Sequence, residues 1–406
     1  MDEKQIVRQL AIQFREAAHE LKNEEKRRLH KASNDLNMIR PVVLIDELPW
    51  KQMDIGDELT LRCGDPFLRE LEWFFRSKLY QYKYFPADMY LSPFLPIPKI
   101  IRSSGIGLSV QEEILKGDTD IVSHTYNDVL SSREDVANLH LPKITYDERR
   151  TIHNYNVAGE VLGDVLPVKI TGASHFFVVI WDDICQYRGL ESVMLDLIER
   201  PDLSHEMAKK FTEIKRSELE QYELLGLFDS EPDLLHCTPV LTDSLPQTEN
   251  GTVTRKNIWG RGAAQIFSSV SKEMRMEFDI PYMIQTVGQC GLVYYGCCEP
   301  LDKMIDIVEK IPNLRKISIT PWADIQTAAE CIGKKYVVAS KPNPAVVAVS
   351  NLDEDALRSE IGVILDACKS FGCAVDLVLK DISTCCNRPE NIFRWEKIVM
   401  DMVENY

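Results

Sequence analysis

The stretch GLVYYGCCEPLDKMIDIVEKIPNLRKISITPW, residues 291–322, decides how the chain is read. Leu292–Tyr295 is a short, aromatic, apolar run suited to a buried strand, and it drops at once into Gly296-Cys297-Cys298-Glu299-Pro300. Proline has a preset φ and no N–H, which suits the first turn of a helix. The spacing of Leu301, Met304, Ile305, Ile307, Val308 and Ile311 predicts that helix, Pro312-Asn313 ends it, and Lys316–Thr320 reads as the next strand. Two thiols and a carboxylate therefore stand where a strand hands over to a helix. In a β/α barrel that edge is the active face.

The same alternation extends both ways. Upstream, Val42–Ile45 is a continuous apolar run suited to a buried parallel strand, and it ends in Asp46-Glu47-Leu48-Pro49-Trp50. Asp65–Tyr82 reads as an amphipathic helix, Pro167–Ile170 as a strand, and Leu234–Cys237 as a strand end. Gln247–Asn257 reads as a polar loop, and the glycines of the following Gly260–Gln265 permit close backbone approach without the spacing of a dinucleotide fingerprint. Downstream, Lys335–Ala339 and Ala374–Leu379 are strands flanking a helix from Asp353 to Phe371 that Gly372 ends. Strands alternating with helices predict an α/β protein with a parallel sheet, and seven or eight of them predict closure into a (β/α)8 TIM barrel. The whole chain, 1–406, reads as one barrel domain, with 1–40 as an N-terminal helical extension and an irregular insertion from Ser103 to His140.

Hydrophobic residues make up 45% and charged residues 27% of the chain, which is ordinary for a globular protein. A net charge of −16 gives a surface that repels phosphate backbones, so nucleic acid is not an expected partner. The eleven cysteines form neither a zinc-finger spacing nor a disulfide framework. The opening MDEKQIVRQL lacks the apolar run of a signal peptide, and no stretch has the length of a membrane span. A cytoplasmic protein with reduced thiols is expected.

Several segments resemble the uroporphyrinogen decarboxylase superfamily over roughly residues 150–406. They are Thr171-Gly172 through His175, Tyr187-Arg188-Gly189, the break at Arg200-Pro201-Asp202, Asp243-Ser244-Leu245, Phe267–Ser271 and Pro389-Glu390-Asn391. The resemblance implies a barrel with its pocket at the strand C-termini, in a superfamily of porphyrin decarboxylases and zinc-dependent methyltransferases that work with corrinoid proteins or coenzyme M. The decarboxylases carry an arginine-rich N-terminal motif for substrate carboxylates. Here Ile45–Trp50 is acidic and apolar, which argues against porphyrinogen decarboxylation. The methyltransferases bind zinc through His-x-Cys-Gly and a later cysteine. Tyr295-Gly296-Cys297-Cys298 falls at the first position, so Cys297 is kept and Tyr295 replaces the histidine. Asp381 falls at the later position, with Cys385 and Cys386 about a turn away.

The expected activity is methyl transfer between a small donor, for example a methoxylated aromatic, and a corrinoid carried by a partner protein. Zinc or a side-chain acid would activate the leaving group. A lyase or metal-free binding member of the superfamily is the alternative. Candidate metal ligands are Cys297, Glu299, His236 and Cys385; candidate catalytic groups are Tyr295, Asp243 and Asp381. Asp46, Glu47, Trp50, Trp322, Lys341 and Asn343 are candidates for lining the substrate pocket. The resemblance also implies a homodimer.

Overall fold

In the computed structural model, which describes residues 2–116, 122–230, 234–248 and 250–406, the chain is built round one seven-stranded sheet. Its strands are β1 (Val42–Ile45), β2 (His175–Val178), β3 (Trp259–Gly262), β4 (Leu292–Tyr295), β5 (Leu314–Ile319), β6 (Val337–Ser340) and β7 (Ala374–Leu379). The order is β1-β7-β6-β5-β4-β3-β2, and every pairing is parallel. The chain thus steps round the sheet in sequence, and its last strand returns beside its first, Val42 opposite Asp376 and Ile45 opposite Leu379. Among the described residues no strand pairing joins β1 to β2. Beside β1 lies an irregular segment whose Asp88 N–H donates to the Val43 carbonyl at 2.9 Å.

The α/β class and the parallel sheet agree with the expectation from sequence, but the strands expected at Pro167–Ile170 and Leu234–Cys237 are not part of the sheet. Gly260-Arg261-Gly262 is part of β3. Its glycines face the segment after them so closely that a Cβ on Gly260 would stand 2.9 Å from the Val287 carbonyl. Leu234–Leu235 instead pairs with Thr238–Pro239 in a small hairpin outside the sheet. The strand Val168–Thr171 also lies outside it, paired with Leu95–Pro98. The helix expected over 301–311 contracts to Ile305–Val308, because Glu299 turns back on its own loop. Helices Glu3–Ala18 and Leu21–Asn34 form the N-terminal extension, and the insertion carries a hairpin of Glu112–Lys116 with Val122–Tyr126. Among the described residues no helix is long and apolar enough to cross a membrane.

Strand alternation divides the sheet into two faces. Val43, Ile45, Phe176, Val178, Val293, Tyr295, Ile317, Ile319, Val338, Val375, Leu377 and Leu379 join the main core, packed against the helices. The opposite, inner face carries Arg261, Tyr294, Lys316, Lys341, Asp376 and Lys380, which is unusually polar for residues so buried. At its centre Lys316 Nζ meets Asp376 at 2.5 Å, both fully buried. The same ammonium donates to the Pro239 carbonyl at 2.7 Å and to Thr238 Oγ1 at 3.2 Å, while Ser33 donates to the other Asp376 oxygen at 2.9 Å. These bonds hold residues 235–246 along the inner face. The segment runs from Cys237, whose carbonyl accepts from Lys341, to Ser244, whose Oγ accepts from Arg315 at 3.2 Å near the N-terminal edge.

Removing one member of a buried ion pair leaves the other charge unmatched, at a cost of about 3–5 kcal/mol. Asp376→Ala should therefore lower unfolding stability by about that amount in urea titration, and Lys316→Met combined with Asp376→Leu should recover most of it. Loss of less than about 1 kcal/mol in the single variant would mean that the pair does not organise the inner face.

Candidate functional site

The C-terminal ends of β1, β4 and β7 and the start of the inner-face segment converge on one group of side chains. Glu47 follows β1, Cys297 and Cys298 follow β4, Lys380 and Asp381 follow β7, and His236 and Cys237 open the segment. One ligand atom each from Glu47, His236 and Cys237 lies within 4.8 Å of the others, a set that can hold a metal ion. His236 Nδ1 is 3.4 Å from Glu47 Oε1, and its Nε2 is 3.9 Å from Cys297 Sγ. Glu47, Cys237 and Asp381 all have positive φ (51°, 58° and 56°), a conformation that costs a non-glycine residue energy and clusters at functional sites. Three such residues at one group of ligands mark it as the candidate centre.

Its electrostatics favour one ionised sulfur. The Cys298 thiol, 3.6 Å from Cys297 Sγ, donates to the Cys297 thiolate. Burial opposes ionisation, but His236 and the nearby Lys380 and Arg261 cations add to the effect of Cys298, and the Cys297 thiol is held well below the ordinary thiol range. Cys298 is pushed the other way, because ionising it beside Cys297 would place two negative sulfurs together. Lys380 Nζ lies 3.8 Å from Cys297 Sγ, 3.7 Å from Cys298 Sγ and 2.5 Å from Asp381. Burial opposes the charge on this ammonium, but the Cys297 thiolate and the Asp381 carboxylate hold it protonated. Burial raises Glu47, and the Asp381 carboxyl beside it adds to that, whereas Asp381 itself is held low against burial by Glu47 and Lys380. Of the two carboxyls, Glu47 is therefore the more easily protonated. Burial also raises Cys237, so its thiol is neutral in the protein alone.

Glu299 works behind the site. Fully buried, it accepts from the Cys297 N–H at 2.9 Å and from the Ala264 N–H at 3.1 Å, tying the ends of β4 and β3 together. It is a backbone clamp and not a member of the ligand group. Tyr295 needs the same correction: period-2 alternation turns it to the helix side, where its hydroxyl donates to Asp279, and Tyr294 faces inward instead. Asp243 lies towards the opposite end of the strands, exposed and paired with Lys31. Cys385 is buried against Gln52, its Sγ 3.6 Å from Oε1, apart from the Cys297 group.

Of the expected pocket residues, Glu47 and Lys341 reach the inner face or its rim. Asp46 accepts from the Glu47 N–H at 2.9 Å, Asn343 caps a short turn by accepting from the Ala345 N–H at 3.0 Å, Trp50 packs edge-on to Trp73, and Trp322 is 71% exposed. The expectation of an acidic, apolar pocket also changes. The rim is acidic, but the face beneath it carries Arg261, Lys316, Lys341 and Lys380. Sequence reasoning passed over Cys237, Arg261 and Lys380. The adjacent pair His236-Cys237 was the available signal for the first, and a lone arginine between two glycines was the signal for the second. A cleft of about 400 Å³, lined in part by His175 and Phe177, lies at the β2 edge of the sheet; another of that size is far from the cysteines, between helices Glu3–Ala18 and Pro66–Tyr84.

A thiolate absorbs in the near ultraviolet and a thiol does not, so the ionised sulfur can be titrated directly. In chelator-treated protein, the absorbance lost in Cys297→Ala should persist in wild type down to about pH 5, far below the ordinary thiol range. Cys298→Ala, which removes the donor, should move the transition upward. A wild-type transition near pH ~8.5 would contradict the assignment.

The sequence matches no family model and no curated protein. Among solved structures, a methyltransferase from Methanosarcina mazei is similar in backbone path, with a TM-score of 0.47 and 12% identity over 93% of this chain and 97% of that chain.

Proposed function

We propose that the chain is a methyltransferase of the uroporphyrinogen decarboxylase superfamily, with the seven-stranded sheet as the wall of a (β/α)8 barrel. It moves a methyl group between a small donor and a corrinoid carried by a partner protein. The carrying observation is the mixed oxygen, nitrogen and sulfur group at the C-terminal strand ends, Glu47, His236 and Cys237 with Cys297 beside them. This reading includes a cytoplasmic homodimer.

The donor set fits zinc, which accepts carboxylate, imidazole and thiolate together and takes three protein ligands at a catalytic site. Glu47, His236 and Cys237 would hold the ion, with Cys297 as a fourth ligand and second sulfur, or as the thiolate facing the open position. Bound there, zinc would supply Lewis acidity to the atom that the methyl group leaves. The chain's own residues do the rest. Glu47 must give up any proton to act as a ligand, and burial and Asp381 oppose that loss, so metal binding there would be pH-dependent. Lys380 keeps Asp381 ionised beside the ligand set. Glu299 fixes the Cys297 backbone, so the thiolate keeps its place beside His236. A decarboxylating lyase is the second reading, favoured by the cations Arg261, Lys341 and Lys380 on the inner face.

Metal analysis of protein purified without chelator, followed by assay of methyl transfer from methoxylated aromatics to reduced cobalamin, tests the proposal. We expect about one zinc per chain. Glu47→Gln and Cys237→Ser should each lower zinc affinity by at least about tenfold. Protein with no bound metal and no methylation of cobalamin would sink the methyltransferase reading, and carbon dioxide release in place of methyl transfer would establish the lyase.

A further inference from the structure

Arg261 projects from the middle of β3 onto the inner face and is 1% exposed. Its guanidinium carbon lies 4.4 Å from the Phe177 ring centroid and 5.9 Å from that of Tyr294. Among the described residues neither its Nε nor its Nη2 has a hydrogen-bond partner. A buried cation with two unmet donors is destabilising on its own, so the arrangement points to a group that arrives from outside.

The identity of the two unmet atoms says what that group is. Nε and Nη2 form one edge of the planar guanidinium, the edge that takes a carboxylate side-on. The same edge is used for this elsewhere in the protein. Arg394 donates from Nε and Nη2 to Glu354, and Arg188 and Arg200 each do so to Asp196. The inner-face and rim carboxylates nearest in role are already engaged, Asp376 by Lys316 and Asp381 by Lys380. The surroundings favour an acid with an apolar body, because Phe177 and Tyr294 wall the guanidinium. Phe177, which lies over the guanidinium, is 39% exposed and also lines the cleft at the β2 edge of the sheet. Lys341 Nζ, which donates to the Cys237 carbonyl, also stands 5.8 Å from the Tyr294 ring centroid. Arg261 is thus one aromatic ring away from the lysine that backs the proposed ligand set.

We propose that Arg261 anchors the substrate, and that the substrate is an aromatic carboxylic acid. Its carboxylate is held side-on by Nε and Nη2, its ring lies against Phe177 and Tyr294, and its reacting end is directed towards Cys237 and Cys297. The proposal rests on the reading of the inner face as the reaction site, but its test needs neither metal nor methyl transfer.

Calorimetric titration of the full chain with benzoate, with its neutral analogue benzamide and with inorganic phosphate tests it. Benzoate should bind, and benzamide should bind at least about tenfold more weakly. Arg261→Gln should weaken benzoate by about tenfold or more, and Arg261→Lys, which keeps the charge and loses the fork, should fall between. Thermal unfolding of Arg261→Gln should be unchanged or shifted upward, since the variant removes an unmatched buried cation. No benzoate binding, equal binding to Arg261→Gln, or binding of phosphate in place of benzoate would each overturn the proposal. A fall in the unfolding midpoint of the variant would also overturn it, by making Arg261 structural. Benzoate binding by a protein that transfers no methyl group would leave the anchor standing and sink the methyltransferase. Methyl transfer that Arg261→Gln leaves unchanged would do the reverse.

Discussion

The buried ion pair between Lys316 and Asp376 is the interaction on which the inner face depends. Two charges are withdrawn from water inside the sheet, and every remaining bond of the pair is spent on holding other chain in place. Lys316 grips the backbone at Pro239, and Asp376 takes the Ser33 hydroxyl from helix Leu21–Asn34. Burial pulls the Lys316 ammonium downward in pKa, and only the carboxylate beside it opposes that. A pair of apolar residues of similar volume would give comparable or greater stability. What it would not give is a register for residues 235–246. The pair fixes that segment along the inner face, and His236 and Cys237 reach the rim because Thr238 and Pro239 are held below them.

A second consequence is electrostatic. The chain carries a net charge of −16, yet its inner face gathers Arg261, Lys316, Lys341 and Lys380. In a low-dielectric interior these charges act on their neighbours far more strongly than surface charges do. Lys380 is kept charged by the sulfur and carboxylate atoms round it and in turn favours a thiolate at Cys297. Burial lowers Lys341 to about 8, so the inner face loses positive charge as pH rises through that range. An acidic exterior with a cationic interior selects for a small anion that can leave solvent, and against a large polyanion that must cross the rim at Glu47 and Asp381.

The elements legible in the sequence were those with continuous apolar runs. Val42–Ile45 and Leu292–Tyr295 stand out because strands of a parallel sheet, with little exposure on either face, need few polar residues, and Ala374–Leu379 stands out although Asp376 interrupts it. β3 was not legible, because Trp-Gly-Arg-Gly looks like a turn until the helix-side packing that demands glycine is known. Within the site, the location of Cys297 at a strand end followed from the strand-to-helix transition, whereas the assignment of Tyr295 failed on a shift of one residue. In a strand that shift reverses the face. Cys237 beside His236 offered a ligand pair, but its place in the site was not legible, for a different reason. It is brought to Glu47 by a segment crossing the inside of the sheet, a long-range placement that no local pattern encodes.

The central claim is that Glu47, His236 and the cysteines Cys237 and Cys297 form one metal-thiolate centre at the C-terminal edge of the sheet. X-ray absorption fine structure at the zinc edge of zinc-loaded protein tests it most directly, because it counts sulfur separately from lighter ligands. The account predicts a mixed shell with one or two sulfurs at about 2.3 Å and nitrogen or oxygen at about 2.0–2.2 Å, losing a sulfur in Cys237→Ser. A shell without sulfur, or one of four sulfurs that Cys237→Ser leaves intact, would contradict it.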